Sequence, residues 1–144
     1  MGPRSVITVL GLMAALSACH SLPKDPEGTS ARLRSGAPVR AAQVAGVAAP
    51  EPARAIVERA ARDLGTGVDW QTGEGEPLLH ALEQGKLDVV VGSFAKKSPW
   101  MPKVALSDSI GGAEPADTSE PALRLARANG ENEWIVRLDR AIGQ

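Results

Sequence analysis

The clearest pattern of apolar and polar positions lies between residues 51 and 64, where it has the period of a helix. Apolar side chains recur three and four residues apart, at Ala53, Ile56, Val57, Ala60, Ala61 and Leu64. This spacing is the stripe of an amphipathic helix that buries one face. Pro52 suits the first turn of such a helix, and Gly65 suits the residue that ends it. The small alanines of the stripe indicate close packing against a sheet.

Two strand patterns flank a second helix pattern directly after this segment. Residues 68–71 read as a strand, residues 72–75 as a turn and residues 76–84 as a helix that Pro77 opens and Gly85 closes. Residues 87–92 form a nearly continuous apolar run, which is typical of a strand covered on both faces in a parallel sheet. Strand, helix and strand with short joints predict a right-handed βαβ unit.

The remaining segments complete a single α/β domain. The patterns predict short strands at 31–35, 104–107 and 122–128, with an irregular segment after the first of them. Loops rich in turn residues are expected at 96–103 and 111–121. The apolar spacing of Trp134, Ile135, Leu138 and Ile142 predicts a terminal helix. The expected fold is a small, mainly parallel sheet of four or five strands with helices on both faces.

The first nineteen residues have the pattern of a secretory signal. Arg4 precedes an apolar run over 6–16, and small residues follow it. The run is shorter than the ~20 residues that span a bilayer. The sequence Leu16-Ser17-Ala18-Cys19 resembles a bacterial lipobox, and this resemblance implies a signal peptide over 1–18 and lipidation of Cys19. The alternative is an ordinary cleaved signal in which Cys19 is incidental.

Residues 19–30 are polar and rich in proline and glycine, so they are expected to form a flexible tether before a domain at 31–144. Several acyl chains at Cys19 would hold the protein on a membrane more firmly than one chain can. The expected location is periplasmic, with a lipid anchor in the cell envelope. The residue after Cys19 is His20 rather than the Asp that resembles an inner-membrane retention signal, which favours the outer membrane.

Composition excludes several classes of function. The formal charge is −1 and no basic run is present, which argues against a nucleic-acid partner. One cysteine and two histidines offer no recognisable spacing for a metal site. The sequence contains no phosphate-binding glycine loop and no nucleophile motif. Because His80 lies among apolar neighbours on a predicted helix, we expect it to be a helix residue rather than a general base. The sequence therefore predicts no enzyme, no metal and no cofactor.

The stretch 51–107 resembles the first lobe of the extracellular solute-binding proteins of family 3, which deliver solutes to ABC transporters. The carrying segments are Leu64-Gly65, Val68-Asp69-Trp70, residues 78–92 with the core Gly85-Lys86-Leu87-Asp88, Ser98-Pro99-Trp100 and Val104-Ala105-Leu106-Ser107. The family has two lobes and holds its ligand between them. The resemblance implies a periplasmic-binding-protein-like lobe and a role in transport.

The sequence departs from that family in two ways. Only the loop 111–121 stands where the second lobe is inserted, so a two-lobe clamp is not expected within this chain. In amino-acid-binding members an Arg grips the ligand carboxylate, and Trp100 occupies its position here. Ser93, which follows the buried strand, and Trp100 remain as candidate ligand-binding residues. The alternatives are a structural hydroxyl for Ser93 and a lid over the sheet edge for Trp100.

These observations lead to three functional hypotheses. The first is a lipid-anchored, solute-binding-like protein that acts as a non-catalytic accessory of a transport system or an envelope assembly. Its expected partners are the membrane and an ABC permease or envelope protein, with a small polar solute as a further ligand. The second is a true solute receptor that completes its cleft by dimerising. The third is a dehydratase-like enzyme. It is ranked last because such an enzyme needs acidic or basic groups in its cleft, and the sequence brings none together by spacing.

Overall fold

The computed structural model of the protein describes residues 25–144. Its elements in chain order are α1 (Thr29–Arg34), β1 (Val39–Val44), α2 (Glu51–Asp63), β2 (Val68–Gly73), α3 (Gly75–Glu83), β3 (Val89–Ala95), β4 (Val104–Leu106), β5 (Pro121–Ala128) and α4 (Asn132–Ile142). The two predicted central helices, the terminal helix and the strands that begin near residues 68, 87, 104 and 122 are confirmed, with boundaries that differ by up to three residues.

The strands form one sheet in the order β2-β1-β3-β5-β4. β1 pairs in parallel with β2 and with β3, whereas β5 is antiparallel to β3 and to β4. In the part of the chain that the structure describes, four strands therefore point one way and β5 points back. The chain moves from β1 to one neighbour and then to the other, so right-handed crossovers place α2 and α3 on opposite faces. The predicted mainly parallel sheet with helices on both faces is confirmed.

Each face of the sheet has its own apolar core. The face covered by α1, α2 and α4 includes Leu33, Ala53, Val57, Val91, Leu125, Trp134 and Leu138. The face covered by α3 includes Ala42, Leu78, Leu82, Val90 and Ala126. Val90 and Val91 are both fully buried and lie on opposite faces. This explains why the sequence of β3 is a continuous apolar run rather than an alternating one.

The predicted first strand at 31–35 is wrong, because these residues belong to α1 and its end. The segment alternates polar and apolar residues, but it is too short for its period to separate a strand from a helical turn. Gly28 and Gly36 bound the helix with φ angles of 72° and 95°, and Leu33 is its fully buried apolar anchor. The true first strand, β1, is partly built from Ala41 and Ala42, whose small side chains give little strand signal.

Residues 25–30 pack against α4, although the sequence places them in the flexible tether 19–30. The Asp25 carboxylate accepts hydrogen bonds from the backbone N–H groups of Ser30, Glu133 and Trp134 at 2.9, 2.7 and 3.1 Å. In return, the buried Glu131 carboxylate accepts from the N–H groups of residues 27 and 29 at 2.8 and 3.2 Å. We call these five hydrogen bonds the N-terminal clasp. Asp25 thus satisfies N–H groups in the first turns of α1 and α4, and Glu131 satisfies that of Thr29 at the start of α1, all of which lack a partner within their own helix.

The predicted signal peptide, the lipidation site Cys19 and the first part of the tether lie outside the described residues. Within residues 25–144, no helix combines the length and apolarity needed to cross a membrane.

Asp88 joins three elements at the end of the sheet where β1 and β3 begin, which we call the amino edge. Its carboxylate accepts hydrogen bonds from the Arg40 backbone N–H at 2.8 Å, from Arg40 Nη2 at 2.7 Å and from Arg32 Nη2 at 2.5 Å. The hydrogen bond with Asp88 raises the pKa of Arg40. The Asp88 carbonyl accepts from Trp134 Nε1 at 2.9 Å. Asp88, which lies in the Gly85–Asp88 core of the resemblance, therefore fixes α1, β1 and α4 around the start of β3.

Candidate functional site

The candidate site lies at the carboxyl edge of the sheet, where β1, β2, β3 and β4 end at Val44, Gly73, Ala95 and Leu106. Open α/β folds place ligands outside the carboxyl ends of their strands. β5 runs the other way, so its first residues also lie at this edge. Side chains from five strands and their loops can therefore meet here.

The segment between β4 and β5, residues 107–120, is bonded to β5 and to the loop after β3 at this edge, and we call it the closing loop. The backbone N–H of Ser107 donates to Leu125 O at 2.9 Å, and that of Ile110 donates to Leu123 O at 2.9 Å. The Lys97 N–H donates to Thr118 O at 2.7 Å. The side chain of Ile110 is buried in the core on the α2 face. The closing loop is therefore held at its start by Ser107, by the buried side chain of Ile110, and near its end by Thr118.

Arg124 is the most deeply buried charge at the carboxyl edge, with only 1% of its side chain exposed. Its Nε donates to Phe94 O at 3.0 Å and its Nη1 donates to Ser107 O at 2.9 Å. Nη1 also donates to Glu114 Oε2 at 3.1 Å, and Nη2 donates to Glu114 Oε1. A guanidinium held in this way presents two parallel donors to one carboxylate, which is the strong bidentate arrangement.

Glu114 brings the partner carboxylate from the closing loop. Besides Arg124, it accepts a hydrogen bond from the Ser109 N–H at 2.9 Å, and Lys96 Nζ lies 3.5 Å from its Oε1. The pKa of Glu114 is lowered to about 2, mainly by the hydrogen bonds from the Arg124 side chain and next by the hydrogen bond from the Ser109 backbone N–H. A hydrogen bond to Asp108 raises the pKa of Lys96. The Glu114 carboxylate is therefore ionised throughout the neutral range.

Phe94 packs close to Arg124 on the α3 face because Gly92 leaves room for it. A Cβ atom on Gly92 would lie only 2.4 Å from the Phe94 ring and 3.0 Å from a methyl group of Val44. Gly92 and Arg124 are also register partners between β3 and β5. Gly92 thus lets the Phe94 ring fold back over β3, while the Phe94 backbone carbonyl accepts the hydrogen bond from Arg124.

The structure does not bring the two predicted ligand-binding residues together. Ser93 is exposed on β3 and pairs with Leu123 of β5. By the alternation of β3 it points to the same face as Val91, which is the α2 face. Trp100 packs instead against the core on the α3 face. Whether either residue contacts a ligand stays a prediction.

Trp100 is half-buried and covers the side of α3. Its ring meets the His80 ring edge-on, with centroids 4.6 Å apart, and Lys103 Nζ lies 5.5 Å from its centroid. A shallow cavity of about 330 Å³ lies here, lined by Glu76, His80, Pro99, Trp100 and Lys103. The surface that Trp100 covers is therefore the side of α3, and both interpretations of its role stay predictions.

The other end of the sheet holds a larger cavity of about 440 Å³. Its lining includes Arg32, Arg40, Asp88 and Glu131. The carboxylates of Asp88 and Glu131 already accept the hydrogen bonds of the amino edge and the N-terminal clasp. In residues 25–144, no three side chains of His, Cys, Asp or Glu are grouped to hold a metal ion. The charged groups that line this cavity therefore hold elements of the fold together.

Comparison with known proteins gives matches among solved structures. No protein-family model matches the sequence, and no curated protein sequence matches it. The arginine-bound form of domain 1 from TmArgBP is similar in structure, with a TM-score of 0.59 and 16% identity over 81% of this chain and 96% of that chain. A Phe-to-Trp mutant of the same arginine-bound domain gives a TM-score of 0.63 and 15% identity over 79% and 95%. An ancestral cationic amino acid solute-binding protein, AncCDT-1, gives 0.60 and 13% over 81% and 93%.

The chain has the fold of a single periplasmic-binding-protein lobe. At 13–16% identity the likeness shows the fold alone. The closing loop, which includes most of the loop expected at 111–121, is bonded at the carboxyl edge of this lobe.

Sequence reasoning missed both members of the pair at this edge. Arg124 stands between Leu123 and Leu125, so its strand reads as apolar on one face and solvated on the other. Glu114 lies in a loop that is acidic and rich in turn residues, where a single carboxylate carries no signal. The pairing depends on the closing loop folding back over the sheet, which no local pattern encodes.

Proposed function

We propose that the protein is a lipid-anchored, solute-binding-like lobe that works as a non-catalytic accessory of a transport system or an envelope assembly at the periplasmic membrane surface. The observation that carries this proposal is the closing loop. It is bonded to the carboxyl edge of a periplasmic-binding-protein lobe, where a second lobe would otherwise face the ligand.

The closed edge supports an accessory role rather than that of an ordinary receptor. The Arg124 fork, which could grip a solute carboxylate, already holds Glu114. Trp100, at the position where the resemblance expects the arginine that grips a ligand carboxylate, packs on α3. The lobe can therefore fold with its edge groups satisfied and no solute bound.

The N-terminal sequence supports the anchor. Asp25 belongs to the folded body, and only six peptide units separate it from Cys19 in the sequence. At ~3.6 Å per residue, a fully extended segment of this length spans at most about 22 Å. A lipidated Cys19 would hold the body within that distance of the lipid headgroups. The His20 that follows it favours the outer membrane.

Labelling with a palmitate analogue in a Gram-negative host tests the anchor. We expect the wild-type protein to take up label and to sediment with outer-membrane fractions. The Cys19→Ala variant should lose both properties, whereas Ser17→Ala, which keeps a small residue in the motif, should keep them. Absence of label on the wild-type protein would refute the lipid anchor.

The accessory role is tested with the mature lipoprotein in detergent micelles. Calorimetric titration with arginine and with a panel of other amino acids should give no binding tighter than the millimolar range. Crosslinking in the native envelope should give a product with a permease or an envelope protein. Micromolar affinity for a solute would refute the accessory role and favour a receptor.

The second candidate is a solute receptor that completes its cleft by dimerising. One observation favours it, since domain 1 from TmArgBP is a single domain described in its arginine-bound form. Sedimentation velocity of the mature protein, with and without arginine, separates the two candidates. An arginine-dependent dimer would support the receptor, and a strict monomer at high concentration would rule it out.

A further inference from the structure

We propose that Arg124 forms the floor of a carboxylate-binding site, that Glu114 is its intrachain occupant, and that the carboxylate of a small molecule takes its place when the closing loop opens. This inference rests on the proposed solute-binding-like function, since it names the class of solute. It adds an intrachain latch to that function.

The site is preorganised by groups that do not depend on Glu114. Two backbone carbonyls, Phe94 O and Ser107 O, hold Nε and Nη1 of Arg124 at 3.0 and 2.9 Å. Phe94 lies at the end of β3, and Ser107, the first residue of the closing loop, is itself tied to Leu125 of β5 by hydrogen bonds in both directions. The orientation of the guanidinium is therefore kept if the loop opens beyond Ser107. The remaining donors point towards Glu114. If Glu114 leaves, the fork therefore stays aimed at the same point.

Further groups around that point favour one negative charge. The Ser109 N–H is 2.9 Å from Glu114 Oε2, and Lys96 Nζ is 3.5 Å from Oε1. The Asp108 carboxylate lies 3.1 Å from Lys96 Nζ and partly neutralises its charge. A single planar fork with one neutralised lysine beside it fits a monovalent carboxylate and offers too few donors for a phosphate group.

The present occupant is held less firmly than the site that holds it. Glu114 belongs to a loop, and 37% of its side chain is exposed, against 1% for Arg124. Another carboxylate could replace it while the strands stay in place. Because the fork lies beneath the closing loop, the entering group must be small, and this favours a free solute over an acidic side chain of a folded partner.

A second buried arginine on β5 supplies a matched control. Arg127, with 3% of its side chain exposed, donates from Nε to Ala105 O at 3.1 Å and from Nη1 to Asp139 at 2.6 Å. Asp139 lies on α4, which stays packed on the sheet, and it takes one hydrogen bond from Arg127 rather than two. Only Nε of Arg127 is held by a backbone carbonyl, against two nitrogens of Arg124, so removal of the Asp139 carboxylate should leave a guanidinium without a fixed orientation.

Chemical rescue by acetate tests the proposal on the mature lipoprotein in micelles. We expect acetate, added at constant ionic strength against chloride, to raise the Tm of Glu114→Ala in a saturable manner. A dissociation constant on the order of 10 mM is expected from charge-assisted bonds of ordinary strength. The Tm of the wild-type protein and of Asp139→Ala should respond to acetate no more than to chloride.

The same titration is followed by the Nε–H resonance of Arg124, which should shift with acetate in Glu114→Ala. If that variant does not fold, Glu114→Gln keeps the shape of the side chain without its charge and is read by the same resonance. The proposal is overturned if neither variant shows a saturable response, or if Asp139→Ala responds equally. Rescue without lipid labelling would instead refute only the proposed anchor, and labelling without rescue would refute only this site.

Discussion

Each edge of the sheet holds one buried ion paired with groups of opposite charge, and the buried ion is negative at the amino edge and positive at the carboxyl edge. At the amino edge the buried ion is a carboxylate, because the Asp88 side chain is 1% exposed and lies between the half-exposed Arg32 and Arg40. At the carboxyl edge the buried ion is a guanidinium, that of Arg124, and the half-exposed partner is Glu114. In both places an ion buried from solvent is bonded on several sides, as burial of a charge requires.

The difference between the edges lies in where the partners come from. Arg32 and Arg40 belong to α1 and β1, which are packed into the core. Glu114 belongs to the closing loop. The elements that carry the partners of Asp88 stay in place even when the arginine side chains turn, whereas Glu114 can leave together with the loop that carries it. We infer that the amino edge stabilises the lobe and that the carboxyl edge is where it can change.

The largest expected effect is at the amino edge. Asp88→Ala removes an acceptor from Arg32, from the Arg40 side chain and from the Arg40 backbone. We expect a loss of ~3 kcal/mol in the free energy of unfolding, at the low end for a broken buried ion pair because both arginines can turn towards water. Urea denaturation measures it, with Asp69→Ala on the exposed face of β2 as the control. A loss no larger than that of the control would remove the distinction between the edges.

The N-terminal clasp should give the next effect. Asp25→Ala leaves the backbone N–H groups of Glu133 and Trp134 without their cap. The expected loss is about 1–2 kcal/mol, the usual range for removing a helix-capping side chain. Urea denaturation with Asp63→Ala, an exposed carboxylate near the end of α2, provides the comparison. Equal midpoints for the two variants would show that the clasp contributes no stability.

At the carboxyl edge, a change at Glu114 should act mainly on the closing loop. Glu114→Gln should lower the urea midpoint less than Asp88→Ala does, because 37% of the Glu114 side chain is exposed against 1% of that of Asp88. It should speed amide exchange at Ser109, whose N–H donates to Glu114, and at Lys97, whose N–H donates to the closing loop. Hydrogen exchange followed by NMR checks this, with Glu120→Gln in the same loop as the control. A global loss of protection across β1 and β3 would contradict a local role.

The smallest effect is expected from acid. The pKa of Glu114 is lowered to about 2 from an ordinary value of 4.5. Its contribution to stability is therefore complete above pH 4.5 and is lost as the pH falls towards 2. A carboxyl-carbon NMR titration should place the Glu114 midpoint near 2 in the wild-type protein and closer to the ordinary value in Arg124→Met, where only Ser109 and Lys96 still lower it. A wild-type midpoint near 4.5 would show that the pair does not form in solution.

The central part of the fold could be predicted because its signals are local. The stripe of α2, the apolar run of β3 and the glycine after each central helix each lie within one element, and the structure confirms the elements they predict. The start of the body could not be predicted in this way. α1 is short, and its capping partner, Glu131, lies about a hundred residues away in the sequence.

The candidate site was harder to predict for the same reason. The sequence offered Ser93 at the end of β3 as a candidate, whereas the charged groups at the same edge come from β5 and the closing loop. Arg124 and Glu114 are ten residues apart, and a reversal of the chain separates them. A rule that an arginine between two leucines on a strand faces solvent fails when a loop returns to cover that face.

The N-terminal clasp determines how this lobe would respond to a mechanical force applied at its N-terminal end. A pull on residue 25 would load five backbone-to-carboxylate hydrogen bonds before it reached any strand. Because those bonds join the first described residues to the start of α4, the helix at the far end of the sequence would carry the strain first. Single-molecule stretching from the N-terminus should therefore show an early, small rupture ahead of the main unfolding event.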